Sequence, residues 1–428
     1  MSVRTVKIAF LGMGNIGSGV YTALGLNGEG IAHREGLHFE LVRALVRDTT
    51  KPRPPGVQPY MLTQDFEDIL EDPQIEIVAE FLGGVEPASD YMARLLRAGK
   101  TVVTANKEAV AYRWPMLEAA AREGNTGLYY EASVCGGIPV IKTINESMQA
   151  NEISEIKGII NGTTNYMLSR MSDEGLSYAD ALAEAQRLGF AEPDPTNDVE
   201  GIDAACKLSI LTSLAFHTKI PVDRIFREGI TKLSPGDVAQ GRELGYEIKM
   251  LAIGKKRGHC VETRIHPTFI PREHPLASVR GSYNAVYLQG NTVGSLMLYG
   301  RGAGDLPTAS AIVSDLITAA KAPKHRYNTF INTDDVDPGT QIALDWDSRY
   351  FLHLDVHDRP GVLADIAGVL AAQNISIASL VQKGWGTDTA PIYMITHRTR
   401  ERAMAAALQE FKALPSICSV AGVIRVEE

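Results

Sequence analysis

Cysteine is scarce in this chain: four residues in 428, scattered at positions 135, 206, 260 and 418. They form no CxxC pair and have no histidine spacing of the zinc type, so neither a disulfide frame nor a structural metal is indicated and a reduced setting fits. Long apolar runs are missing too. None is long enough to span a bilayer, and MSVRT leads straight into an apolar strand without the core and cleavage site of a signal peptide. Positive charge is in deficit, with a formal net charge of −9 and no Lys/Arg run, which argues against a nucleic-acid partner. The expectation is a cytoplasmic protein that meets small molecules rather than membranes or nucleic acid. What is present is ordinary for a globular chain: 45% apolar and 22% charged residues, in a length that calls for two or three domains.

Carboxylates concentrate in one stretch, AQRLGFAEPDPTNDVEGIDAACK from Ala185 to Lys207, which holds Glu192, Asp194, Asp198, Glu200 and Asp203. Its prolines push their predecessors out of the α region, so residues 192–198 read as a loop. From Gly201 the pattern becomes IDAACKLSILTSLAF, a helix apolar nearly all round and therefore buried. Asp203 and Lys207 stand four apart and share a face of it. On a surface such a pair is a weak solvated salt bridge. On a buried helix charges are costly unless paired or working, and a lysine with a carboxylate beside it is a candidate proton donor.

The first strand, Val6 to Leu11, runs directly into GMGNIGSGV. Gly12, Gly14 and Gly17 make GxGxxG after a strand and at the opening of a helix, with Asn15 and Ile16 inside it. That context lets a dinucleotide pyrophosphate approach the helix N-terminus. The next strand, Phe39–Val46, ends at Arg47 rather than at an acidic residue, which leans toward the 2′-phosphate of NADP and leaves NAD open. Strands at Glu76–Phe81 and Thr101–Thr104, separated by helices at Ala88–Ala98 and Trp114–Arg122, complete βαβ units of a Rossmann-type domain. Gly83, Thr104, Asn106 and Lys107 fall at strand carboxyl ends, where sites lie.

A bend at Val134-Cys135-Gly136-Gly137-Ile138 leaves this domain after Glu131. Cys135 reads as a small buried filler. Asn161-Gly162-Thr163-Thr164-Asn165 reads as a polar turn after a strand at Glu155–Ile160. His266 and His274 adjoin prolines and read as loop residues without a catalytic role. Arg301 to Thr308, with Gly302 and Gly304, is a second glycine turn before a helix at Ala309–Ala320. Residues 331–348 lack periodicity and read as a linker. Beyond it, strands at Tyr350–Val356, Ser376–Gln382, Ala390–Thr396 and Ser419–Val426 and two helices make a βαββαβ plan suited to ligand sensing. The expected organisation is α/β: a nucleotide-binding domain over 1–135 completed by a return segment 300–330, an α+β substrate and dimerisation domain over 136–300, the linker, and a regulatory domain over 349–428.

These motifs resemble the homoserine dehydrogenase family with a C-terminal ACT domain. The spacing Ala185, Gly189, Pro195, Asp198, Gly201, Asp203, Lys207 matches the family's substrate signature, and the glycine loop, Thr104-Ala105-Asn106-Lys107, Asn161 to Asn165, GAGDLPTAS and DRPGVLADIA stand where the family has them. The resemblance implies reversible hydride transfer between NAD(P)H and aspartate 4-semialdehyde, giving homoserine. It implies Lys207 as the general acid/base and Lys107 as a second active-site lysine. Glu192, Asp198 and Asp203 would bind the substrate and position Lys207, with Asn161 and Thr163 in the substrate site. The cofactor residues would be Gly12, Gly14, Asn15, Ile16, Gly17, Arg47, Gly83, Thr104, Lys107, Gly302 and Gly304. A sodium site would use Glu131 with carbonyls of Val134, Gly136 and Ile138. Threonine would bind the ACT domain and inhibit, and the assembly would be a homodimer or homotetramer. Two alternatives stay open: a semialdehyde dehydrogenase with Cys135 as nucleophile, and a non-catalytic amino-acid sensor.

Overall fold

The computed structural model describes residues 3–322, 338–383 and 388–428. Two compact units share the chain: Met1–Ile156, Ala204–Ile225 and Asn284–Thr340 form one, and Lys157–Asp203, Phe226–Tyr283 and Gln341–Glu428 the other.

The first unit begins with β1 (Arg4–Leu11), α1 (Asn15–Glu35), β2 (Leu37–Leu45), β3 (Leu62–Thr63) and β4 (Ile77–Glu80), followed by α2 (Ala88–Arg97), β5 (Thr101–Thr104), α3 (Lys107–Glu123) and β6 (Leu128–Tyr129). The six strands are parallel in the order β3-β2-β1-β4-β5-β6. This is a doubly wound sheet whose strand order reverses between β1 and β4, which opens a crevice at their carboxyl ends. The sequence LGLNGEG, long for a glycine-loop helix, extends α1 rather than adding a loop. The helix at Trp114–Arg122 starts earlier than its pattern suggests. Asn106 caps it by accepting from the Ala109 N–H, and Pro115 sits inside.

The chain continues through β7 (Ile153–Ile159), α4 (Gly162–Glu174), α5 (Tyr178–Arg187), α6 (Ile202–Phe216), α7 (Pro235–Glu243), β8 (Tyr246–Arg257), β9 (Cys260–Pro271), β10 (Tyr283–Gly290), β11 (Gly294–Arg301) and α8 (Asp305–Lys321). Within the first unit α8 packs on α1. A Cβ on Gly19 would stand 2.9 Å from the Asp305 carbonyl oxygen, so only glycine permits the approach. Ala309, Ile312 and Leu316 join Val6, Ile8, Phe10 and Val20 in one core. Each large side chain fully buried there contributes about 1.5–3 kcal/mol.

In the second unit β8 and β9 pair antiparallel over twelve residues. Four further strands follow: β12 (Asp347–His357), β13 (Ile377–Gln382), β14 (Thr389–Thr396) and β15 (Ile417–Val426), with helices α9 (Val362–Ala372) and α10 (Glu401–Phe411). Their order is β15-β12-β14-β13, antiparallel throughout, over a core of Leu352, Leu354, Ile366, Ile392, Met404 and Phe411. The βαββαβ plan is therefore realised, and its last strand also pairs parallel with β9, Thr268 with Arg425 and Phe269 with Val426.

Several local expectations change. Residues 196–199 form a short helical turn, because Pro195 occupies the position before its first residue, where a proline costs nothing. Asn161 to Asn165 is the first turn of α4 rather than a free turn. The turn at 301–308 is helical from Asp305 onward. His266 lies in β9, fully buried. Part of the expected linker, 331–337, lies outside the described residues, while Gln341–Ala343 pairs parallel with Cys260 to Glu262. Among the described residues no helix is long and apolar enough to cross a membrane.

Candidate active site

In the first unit the glycine loop has the shape a pyrophosphate needs. Gly12 has φ +95°, and a Cβ on Gly17 would stand 2.7 Å from the Gly12 carbonyl oxygen. Gly14 faces open space at the start of α1. That helix has no side-chain cap and no acidic residue in its first turn, so its N-terminal N–H groups and partial positive charge are available to an anion. Asn15 is exposed and Ile16 half-buried there, and Arg47 stands exposed just beyond β2. Arg53, not singled out from sequence, ties the following loop to the glycine loop, donating to the carbonyl oxygens of Met13 and of Asp48, the latter at 2.7 Å.

At the ends of β4 and β5 a buried carboxylate organises the crevice. Glu80 accepts from the Leu82 N–H at 2.6 Å and from the Thr104 hydroxyl at 2.5 Å. Thr104 in turn accepts from the Asn106 N–H at 2.9 Å, and the Asn106 side-chain amide donates to the Gly84 carbonyl at 2.7 Å. Burial raises the Glu80 pKa, opposed by hydrogen bonds from Thr104, Leu82, Asn106 and Gly83. One carboxyl thus holds both loops that carry Gly83, Thr104 and Lys107. Lys107 is the first residue of α3 and half-buried. The one acid in the buried strand IVAE, Ile77–Glu80, was the available signal for Glu80.

The bend after β6 is tightly built. Cys135 (φ +56°) and Gly136 (φ +44°) both adopt left-handed backbone. A Cβ on Gly136 would stand 2.7 Å from the Gly302 carbonyl oxygen, and the Gly137 N–H donates to the Arg301 carbonyl at 3.1 Å. The bend and the Gly302–Gly304 turn, predicted for different tasks, therefore touch. The Glu131 carboxylate accepts the N–H groups of Ile141 and Lys142 at 2.8 and 2.7 Å. Its own N–H donates to Asp315 at 2.9 Å, and Asp315 also pairs with Lys142 at 3.0 Å. Burial, with the Asp315 charge added, pushes the Glu131 carboxyl up to about 7. Val134 and Ile138 are buried beside it, and Cys135 is 1% exposed, a filler rather than an accessible thiol.

In the second unit three predicted substrate residues come together. The Asn161 side-chain amide donates to Asp198 Oδ1 at 2.6 Å and to Asp203 Oδ2 at 3.0 Å. Its carbonyl end caps α4 by accepting the Thr164 N–H at 2.9 Å. Thr163 donates to the Phe190 carbonyl at 2.7 Å, holding the turn before the acidic loop. Asn165 fixes the other flank through the carbonyls of Gly281 and Tyr283. Glu192 stands exposed on the loop. Asp203 lies in the first turn of α6, and Lys207 follows one turn later, half-buried. Two carboxylates gathered on one amide make an anionic pair, the chemistry that suits an ammonium group.

Comparisons with known proteins match three parts of this chain. A family model described as homoserine dehydrogenase matches residues 139–317. One described as homoserine dehydrogenase, NAD binding domain, matches 12–131, and an ACT domain model matches 350–416. A homoserine dehydrogenase of Corynebacterium glutamicum is 40% identical over 99% of this chain and 96% of its own length. A crystal structure of a homoserine dehydrogenase from Thiobacillus denitrificans superposes with TM-score 0.92 at 40% identity, covering 100% of this chain and 99% of that one. A hyperthermophilic archaeal homoserine dehydrogenase in complex with NADPH superposes with TM-score 0.63 at 26% identity, covering 76% of this chain and 100% of that one.

Proposed function

This chain belongs to the homoserine dehydrogenase family, and from that premise we propose how its residues divide the work of interconverting aspartate 4-semialdehyde and homoserine. The observation that carries the reading is the Asn161 clamp, which gathers Asp198 and Asp203 where an amino-acid ammonium can be bound, with Lys207 one turn along the same helix. Asp198, Asp203 and Glu192 bind and orient the substrate. Lys207 holds the proton that the developing alkoxide takes in reduction, and recovers it in oxidation. Lys107, fixed at the start of α3 by the Glu80–Thr104–Asn106 set, is a second cation for the carbonyl. The nicotinamide cofactor, when bound, supplies or accepts the hydride.

The cofactor sits on Gly12, Gly14 and Gly17, with Asn15, Ile16, Gly83, Thr104, Gly302 and Gly304 around it. NADP is favoured over NAD because Arg47, exposed after β2, suits a 2′-phosphate, and the archaeal relative was solved with NADPH. The bend contributes a hard oxygen set for sodium: the Glu131 carboxylate keeps lone pairs beyond its two main-chain bonds, and carbonyls of Val134, Gly136 and Ile138 are the other donors. The ACT domain binds threonine and lowers turnover, in a homodimeric or homotetrameric enzyme of the cytoplasm acting in threonine, methionine and isoleucine biosynthesis.

The test is homoserine-dependent reduction of NADP and of NAD, followed by absorbance, for wild type and Lys207→Ala. Loss of about 10²- to 10⁴-fold in kcat with cofactor binding retained supports Lys207 as the proton carrier. A fully active variant passes that role to Lys107. Replacing sodium by choline in the same assay, and titrating threonine, reads out the cation and the effector.

A further inference from the structure

The last strand of the ACT domain ends in a buried ionic cluster that nothing in the reaction uses. Glu427 is 4% exposed and pairs with Lys255 at 2.6 Å, with Lys157 at 3.7 Å, and with the fully buried Arg264. Lys157 also donates to the main-chain carbonyl of Glu428 at 2.7 Å. Two residues earlier in β15, Arg425 donates to Glu228 at 2.7 Å and pairs with Glu401 of α10 at 2.9 Å. Burial acts to raise the Glu427 carboxyl, but the charges of Arg264, Lys255 and Lys157 outweigh it and hold it well below the usual carboxylate range.

Both partners lead to the substrate residues. Lys157 lies in β7, four residues before Asn161, and fixes the strand end from which Asn161 reaches Asp198 and Asp203. Glu228 belongs to the segment whose next residues hold the acidic loop. The Ile230 N–H donates to the Val199 carbonyl at 3.0 Å and the Thr231 hydroxyl to Glu200 at 3.2 Å. A Cβ on Gly229 would stand 2.5 Å from Glu200, so this segment and the loop are in close contact. One strand of the ACT domain therefore grips the Asn161 side and the Asp198 side of the same clamp.

We propose that Arg425 and Glu427 are positioning residues for the substrate carboxylates, and that β15 is the element through which the ACT domain acts on homoserine binding. Breaking a buried ion pair from one side is strongly destabilising, since it leaves an uncompensated charge, so whatever shifts β15 must carry its partners with it. The inference rests on the reading of Asp198 and Asp203 as ammonium-binding groups.

The experiment uses the full chain with Lys157→Met and Glu228→Gln. These remove one partner from each arm and leave Glu427 its two other cations and Arg425 its Glu401. Each is expected to raise KM for homoserine about fivefold or more, the scale of an ordinary coupling between sites, with KM for the cofactor and kcat within about twofold. Lys157→Arg is expected to restore KM. Asp198→Asn serves as the control. If it raises KM for homoserine while both test variants, folded by circular dichroism, leave KM unchanged, the positioning role is overturned. If Asp198→Asn also leaves KM unchanged, the underlying reading of the carboxylates fails instead. A fall in kcat and a rise in both KM values together would mark a merely structural role and overturn the proposal.

Discussion

His353 of β12 lies 2.7 Å from Asp237 of α7, imidazole Nδ1 to carboxylate, at a place where Gly422 of β15 leaves room for the acid. A Cβ on Gly422 would stand 2.6 Å from Asp237 Oδ2. The contact joins the βαββαβ fold to a helix from the preceding part of the chain.

Burial works to lower the His353 pKa, but the Asp237 hydrogen bond and charge, with Asp355 adding to them, raise it above the ordinary value. A histidine with a raised folded-state pKa contributes stability that is complete below the unfolded value, about 6.5, and lost as pH rises through the folded one. Thermal melts should show His353→Gln flattening the decline in Tm as pH rises from about 6.5, relative to wild type. Equal slopes for the two proteins would mean the pair does not titrate there. Asp237→Asn should flatten it likewise, because the neutral amide cannot favour the charged imidazole.

Asn161 does two jobs that one substitution can separate. Its carbonyl caps α4 and its amide clamps Asp198 and Asp203. Asn161→Asp keeps a good cap, since Asp and Asn serve about equally at that position. It loses the donor and sets a third carboxylate between two others. The expected outcome is a KM for homoserine raised about tenfold or more, the equivalent of about 1.4 kcal/mol, with the cofactor KM unchanged. Asn161→Ala should lose the cap as well and cost about 1 kcal/mol of stability in denaturant titration.

How far the sequence could be read depends on what fixes each element. Thr101–Thr104 was legible to the residue, because a β-branched run meets the Asn106 cap two residues later. The helix from Ile202 was legible because its apolar pattern runs all round. His266 was misread because Pro267 suggested a loop, whereas the missing N–H falls between two partner segments. Arg264 and Ile265 pair with Phe226 and Arg227, and Thr268 and Phe269 with Arg425 and Val426. The Asn161–Asp198–Asp203 contact joins residues 37 and 42 positions apart, so periodicity could name its members but not their geometry.

Gly17 tests the glycine loop without touching the substrate residues. A methyl there would press on the Gly12 carbonyl oxygen at 2.7 Å, and backbone cannot swing aside as a long side chain can. Gly17→Ala should raise KM for the nicotinamide cofactor about tenfold or more while the fold, read by circular dichroism, persists. A normal cofactor KM would mean the loop relaxes at no cost and that its tight turn is not what receives the pyrophosphate.

Glu80 is the stronger test of how the crevice is held. Its carboxyl receives groups from the segments after both β4 and β5, and burial raises its pKa. Glu80→Ala leaves the Thr104 hydroxyl, the Leu82 N–H and part of the Asn106 amide without their acceptor. At about 1–3 kcal/mol for each unsatisfied buried group, the loss should be several kcal/mol and accompanied by weakened cofactor binding. Glu80→Gln has nearly the same shape and one remaining acceptor oxygen, so it should cost less. An acid whose folded-state pKa is raised contributes stability below its unfolded value and loses it as pH rises through the folded one. The glutamine variant should therefore remove that part of the pH dependence, and the difference between the two melting curves should shrink as pH rises. A gap that instead widens with pH would mean the Glu80 carboxylate is stabilised ionised, held by its donors more strongly than burial opposes it.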